Sequence, residues 1–283
     1  MKKVILSSLL CFSMFAQGQV QTPKASPLGK VEQRVGLTDI SITYSRPAMN
    51  GRKIFGELLP YGELWRLGAN ENTKITNSDI LIFGSDTLKA GTYALFAKPN
   101  TDSWEIIFYT ESTNWGLPEK WDETKVALRK KVKVSKFPFP KENLTISIED
   151  LEFNSGSIVI AWEIYQVSVP FTLNTREKVL ASIEKTLSSS TVTANDYHAA
   201  ASYYFTENID LKKALLWSEK AVAMKGVSAY WMTRLKSQLQ AANGDYKGAM
   251  ETAKISMIEA EKDGDQNYVR MNQLSIEEWL KQK

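Results

Sequence analysis

The hydrophobic period of this chain changes once, near residue 172, and that change limits the folds open to it. From Val31 to about Phe171 apolar residues recur at every second position. Ile40, Ile42 and Tyr44 alternate with Ser41, Thr43 and Ser45, while Trp104, Ile106 and Phe108 share one parity, as do Leu144, Ile146 and Ile148. Such alternation marks half-buried strands. Across Ile158–Tyr165 both parities are apolar, which predicts a strand covered on both faces. Gly84–Ser85–Asp86, Lys89–Ala90–Gly91, Pro99–Asn100–Thr101–Asp102 and Asn154–Ser155–Gly156 supply hairpin turns between the runs. Leu128, Val132 and Val134 against Arg129, Lys131 and Lys133 predict a further strand, its basic face serving solvation and edge protection. Seven to nine strands in all point to an antiparallel β-sandwich or an open barrel over residues 31–171.

After Asn174 the period is helical. Asn174 with Glu177, and Thr193 with Asp196, have the spacing of capping boxes, and Val179, Leu180, Ile183 and Leu187 follow the first on one helical face. Asp210–Ala214 and Asp245–Ala249 repeat a pattern 35 residues apart. This is similar to the period of about 34 residues of tetratricopeptide arrays, in which small residues let paired helices approach closely. Ala221 and Ala253 supply further small positions, and Gly244 a turn. The expectation is an α+β chain in two segregated parts, with five or six antiparallel helices over residues 172–283 arranged as tetratricopeptide-like hairpins. Such an array either offers a groove to a peptide or protein partner or packs as a plain appendage.

Ahead of both parts, Met1–Lys2–Lys3 precedes the apolar run Val4–Ala16, and Ala16–Gln17–Gly18 has the small-x-small form read by signal peptidase. The run is too short to span about 30 Å of hydrocarbon, so residues 1–18 are expected to be a cleaved signal and the protein to be periplasmic or extracellular. Cys11 follows Leu10 rather than the small residue that a lipid-modified cysteine needs, and it leaves with the leader. Residues 19–30, with Pro23 and Pro27, read as an irregular lead-in, with no strand before about Val31. With one His and one Cys in 283 residues, most His-dependent triads, His/Cys zinc sites and disulfide frameworks are excluded, and neither metal nor cofactor is expected. A net charge of +3 does not suit an obligate nucleic-acid partner, and no later window is apolar enough to be a transmembrane segment.

Between the strand at Ile40–Ser45 and the next clear one at Ile80–Phe83 lies a stretch with little periodicity, Arg46 to Thr73. It carries four glycines, and Arg46, Arg52 and Arg66 are spaced among Ile54, Phe55, Leu58, Leu59, Tyr61 and Trp65. Long irregular insertions in compact domains are usually functional or ordered by their own side chains. Guanidinium groups among large apolar residues need carboxylate or carbonyl partners, for which Glu57, Glu63, Glu71 and Asn70 are the local candidates.

The run RPAMNGRKIFGELLPYGELWRLGANENTKI, with AGTYALFAKP at Ala90–Pro99 and WEIIFY at Trp104–Tyr109, resembles the bacterial domain of unknown function 2911. The resemblance covers about Pro23 to Val169. It implies a β-rich fold and export in Bacteroidota-like bacteria, and it carries no established activity or catalytic residue. The helical half lies outside it.

Three classes of chemistry follow from these residues. Arg46, Arg52, Trp65, Arg66, Asn70 and Glu71 either line a pocket for a small anionic ligand, through paired guanidinium hydrogen bonds, or pin the insertion through internal ion pairs. Glu57, Glu63 and Glu71 are candidate carboxylates for hydrolysis of an envelope or dietary polymer. Trp115 and Trp121, in a loop with Asn114, Gly116 and Pro118, are candidate platforms for a carbohydrate ligand. His198 belongs to the helical half as an ordinary packed or exposed residue. The role read from these features is non-enzymatic binding or scaffolding in the bacterial envelope.

Overall fold

The computed structural model describes residues 22–282. The signal segment expected over residues 1–18, with Cys11, lies outside the described residues. The chain divides into two compact units, one ending at Thr175 and the other starting at Arg176.

Among the described residues the first unit holds nine strands: β1 (Leu28–Val35), β2 (Thr38–Ser45), β3 (Thr73–Asn77), β4 (Leu81–Phe83), β5 (Asp86–Leu88), β6 (Gly91–Pro99), β7 (Ser103–Tyr109), β8 (Val126–Glu149) and β9 (Ser155–Thr172). All pair antiparallel in one open sheet of order β1-β2-β3-β6-β7-β8-β9-β4-β5. Of the forms expected from the strand pattern, the open one is found, with β1 and β5 as its edges. β1 starts three residues before the expected Val31: Leu28, Gly29 and Lys30 pair with Ser45, Tyr44 and Thr43. Pro27 stands just ahead of the strand, where its missing N–H breaks no ladder bond, and its carbonyl accepts from Arg46 N–H at 2.9 Å.

β8 and β9 are long because β8 serves two neighbours in turn. Val126–Lys133 pairs with β7, and Val134–Glu149 pairs with β9. The end of β2 reaches the last part of β8 through side chains rather than a ladder. The buried Tyr44 hydroxyl accepts the N–H of Ile146 at 2.9 Å and donates to its carbonyl at 3.2 Å. The inner face is filled by large side chains: Ile42, Phe55, Ile75, Leu95, Trp104, Ile146 and Trp162 are each no more than 2% exposed. Phe55 lies 4.8 Å from Trp104, and Trp65 stacks on Trp162 at 5.9 Å. Alternation is what puts these residues on one face.

The second unit contains α1 (Thr175–Leu187, begun in the first unit), α2 (Ala194–Thr206), α3 (Leu211–Lys225), α4 (Tyr230–Ala242), α5 (Tyr246–Lys262) and α6 (Gln266–Trp279). Helix starts recur every 35 or 36 residues: Thr175, Leu211 and Tyr246 in one series, Ala194, Tyr230 and Gln266 in the other. Thr193 and Asp196 close a full capping box on α2, and Asp210, Asp245 and Asp265 each accept N–H groups at the starts of α3, α5 and α6. The packed seams are lined by small residues, with Ala214, Ala221, Ala249, Ala253 and Ala260 fully buried. A buried polar relay crosses three helices. Ser256 of α5 donates to the Tyr230 carbonyl of α4 at 2.7 Å and accepts from Asn272 of α6 at 2.9 Å. Among the described residues no helix is long and apolar enough to cross a membrane.

Candidate functional site

The segment joining β2 to β3 is ordered by its own side chains. Ile54, Phe55 and Leu67 are at most 1% exposed and join the core of the sheet. Trp65 becomes a strand partner of β6: its N–H donates to the Ala97 carbonyl at 2.8 Å, and its carbonyl accepts the Ala97 N–H at 2.9 Å. The Trp65 indole N–H donates to Gly68 O at 3.3 Å. Leu67 takes a positive φ of 53°, a conformation that leucine holds only where the surroundings over-determine it.

Of the carboxylate or carbonyl partners expected for the three arginines, the structure supplies carbonyls, together with one hydroxyl. Arg46 donates to the Leu144 carbonyl and the Thr145 hydroxyl, both at 3.1 Å. Arg52, which is exposed, donates to the carbonyls of Met49 at 2.8 Å and Ala48 at 2.7 Å. Arg66 donates to Asn70 O at 3.0 Å. Hydrogen bonds rather than ion pairs hold these arginines: Arg52 and Arg66 use carbonyls of the insertion itself, and Arg46 reaches a carbonyl and a hydroxyl of β8. Glu57 pairs at the surface with Lys53 at 3.3 Å, and Glu63 and Glu71 are exposed.

Two loops meet at Arg66. The Asn70 amide, with φ 57°, donates to Ser26 O and to Ser45 Oγ, both at 3.2 Å, which holds the loop over the end of β2. The Asn72 amide donates across to Asn114 Oδ1 at 2.7 Å, and Asn114 donates to Gly116 O at 3.1 Å. Gly116 has φ 73°, a conformation that favours glycine, and lies against the Arg66 guanidinium, with an added Cβ standing 2.8 Å from Nη1. Asn72 is 3% exposed, yet its Oδ1 is buried without a hydrogen-bond partner. Beside this amide cluster in the chain the Trp115 ring is 64% exposed.

A family model, Protein of unknown function (DUF2911), matches residues 26–171, just over half of the chain. The chain belongs to the DUF2911 family. No curated protein and no solved structure matches it. Its DUF2911 domain contains every strand except the last residue of β9, together with both loops of the candidate site; the helices α1–α6 lie outside the match.

Two further residues of the DUF2911 domain change the expected site. Trp121 is no platform. It is half-buried, stacks on Tyr109 at 4.6 Å, meets Phe96 edge-on and donates to Glu123 at 2.8 Å. That hydrogen bond is the main reason the Glu123 carboxyl is held below its usual range. Trp121 covers a second, smaller apolar cluster, formed with Ala94, Phe96, Ile107 and Tyr109. Glu163 is the residue that strand periodicity passed over. Its φ is 56° within β9, and its carboxylate accepts the N–H groups of Ile54 at 3.3 Å and Phe55 at 3.2 Å, fastening the insertion to the sheet. A lone charge in the apolar run IVIAWEIY was the available signal.

His198 of α2 is half-buried, with Nδ1 enclosed and unpartnered, and burial lowers its pKa. Among the described residues no group of three or more His, Cys, Asp or Glu side chains gathers as a metal site.

Proposed function

We propose that this protein is an exported, non-enzymatic binding protein of the bacterial envelope, and that its DUF2911 domain takes a saccharide at the loop pair around Trp115. One observation carries this reading: an exposed indole adjoins, in one loop, the amide cluster that rests against the half-buried Arg66 guanidinium. A sugar ring offers an apolar face to stack on the indole and oxygens to accept from a guanidinium. Arg66 keeps unused guanidinium N–H donors there, which suits hydroxyl or carboxylate oxygens of an acidic sugar. Export rests on the basic start, the apolar run and the small-x-small exit before residue 19.

The helical unit serves, in this reading, as a tetratricopeptide-like array for a peptide or protein partner. Its support is the recurrence of helix starts at 35–36 residues and the alanine seams. The test is a titration of neutral and uronic-acid oligosaccharides followed by indole emission. Trp115→Ala is expected to weaken binding by at least about tenfold, the effect of losing roughly one buried aromatic contact. Flat titrations with the wild-type chain would remove the saccharide reading.

A further inference from the structure

Strand β8 carries a feature that the saccharide site does not use. From Arg129 to Lys141 the sequence RKKVKVSKFPFPK contains six cations and no acid. Arg129 is paired with Glu105 and Glu123, and Lys130 with Asp86. Lys131, Lys133, Lys136 and Lys141 have no carboxylate within ion-pair distance among the described residues; Lys136 lies over the Tyr165 ring and Lys141 over the Phe137 ring. The carboxylates nearest in register, Glu142 and Glu163, accept the backbone N–H groups of Asn50, and of Ile54 and Phe55.

Within this strip the ladder slips. β8 advances five positions from Lys136 to Lys141, while β9 advances two, from Tyr165 to Glu163. The three surplus residues lie within Phe137–Pro138–Phe139–Pro140, whose prolines can donate no ladder bond and hold the backbone extended. Phe139 is 79% exposed, the most exposed large apolar side chain among the described residues. Tyr61, 37% exposed, has its hydroxyl beside that of Tyr165 at the foot of the slip.

We propose that this tongue docks the protein on an anionic lipid surface, with Phe139 inserted among the acyl chains and the unpaired lysines on the headgroups. A phenyl ring held into water by two prolines has no polar edge to satisfy, so hydrocarbon is its natural partner. Lysines bracketing it reach headgroups while their stems follow the ring inward. Each lysine near an anionic bilayer adds to the attraction, and salt screens it. An anionic polymer would need the lysines alone and gain nothing from Phe139. This proposal is independent of the saccharide reading.

The test is co-sedimentation of the chain from Gln19 onward, which holds every described strand and helix, with vesicles of phosphatidylcholine alone or mixed equally with phosphatidylglycerol. Binding is expected only to the anionic vesicles and is expected to fall with added salt. Phe139→Ser is expected to reduce it about tenfold, and the double variant Lys136→Gln/Lys141→Gln at least about tenfold. Unchanged circular dichroism and melting temperature show that Phe139→Ser, an exposed substitution, leaves the fold intact. Equal sedimentation with both vesicle types, or wild-type binding by Phe139→Ser, overturns the proposal. So does capture by an acidic polysaccharide that depends on the lysines and ignores Phe139, which would assign the strip to a polymer.

Discussion

The two units solve core packing in opposite ways. The sheet unit fills its core with large side chains, with Trp104, Trp162, Phe55 and Phe108 all at most 2% exposed. The helical unit lines its seams with small ones, with Ala214, Ala221, Ala253, Ser218 and Ser256 at 0% beside a few larger residues such as Met232 and Leu239. The difference follows from geometry. Layers of a sheet that packs on itself stand about 10 Å apart and must be filled by side chains. Helix axes come to about 8–10 Å only when the residues at the crossing are small. Large-to-small changes should therefore hurt the first unit most, and small-to-large changes the second.

The strongest way to break the comparison is Trp162→Ala. Loss of the indole that stacks on Trp65 removes contacts and leaves a cavity, and we expect a destabilisation of about 3–5 kcal/mol. Urea titration followed by near-ultraviolet circular dichroism, which reports the ring cluster, checks it; a loss below about 1 kcal/mol would mean the sheet core collapses around the gap. Next in size is Ala253→Leu in α5, expected to cost about 1–3 kcal/mol through overpacking. Far-ultraviolet circular dichroism at helical wavelengths reads it, and stabilisation there would show a void at the seam rather than a contact.

The smallest expected effect concerns pH. Burial depresses the pKa of His198 in the folded state, so unfolding takes up a proton once the pH drops below the ordinary value of about 6.5. The contribution to stability is present above that pH and is lost as pH falls. His198→Asn should flatten the decline of helical melting temperature between about pH 7 and pH 5, a window above carboxylate titration. An identical decline in the variant would assign it elsewhere. No counterpart exists in the matched part of the sheet unit, because the chain's one histidine is on α2.

Which parts of the molecule were legible in the chain follows from the range of the forces involved. Alternation of Ile40, Ile42 and Tyr44, and the helical spacing of Val179, Ile183 and Leu187, are local patterns. They sufficed for an antiparallel sheet followed by helices, for the strand and helix numbers, and for the capping box at Thr193–Asp196. The motif from Arg46 to Asn72 was enough to identify the family. Partner choice was not legible. Whether Arg66 meets Glu71 or the Asn70 carbonyl, and whether Trp121 faces water or Tyr109, depends on contacts between segments far apart in sequence.

Glu163 is the sharpest case. Periodicity reads its segment as a buried strand, and only the fold brings the amides of Ile54 and Phe55 to its carboxylate. The same holds for Tyr44, whose hydroxyl joins two distant parts of one sheet, and for the slip that lifts Phe139 into solvent. Sequence by itself placed most of the strands and the helical half, since hydrophobic period acts between neighbours, but it passed over β3 at Thr73–Asn77 and began β1 three residues late. Beyond local caps such as Thr193–Asp196, tertiary structure decided which polar groups are paired, since bonds such as Glu163 to Ile54 and Tyr44 to Ile146 depend on where a distant segment of the chain comes to rest.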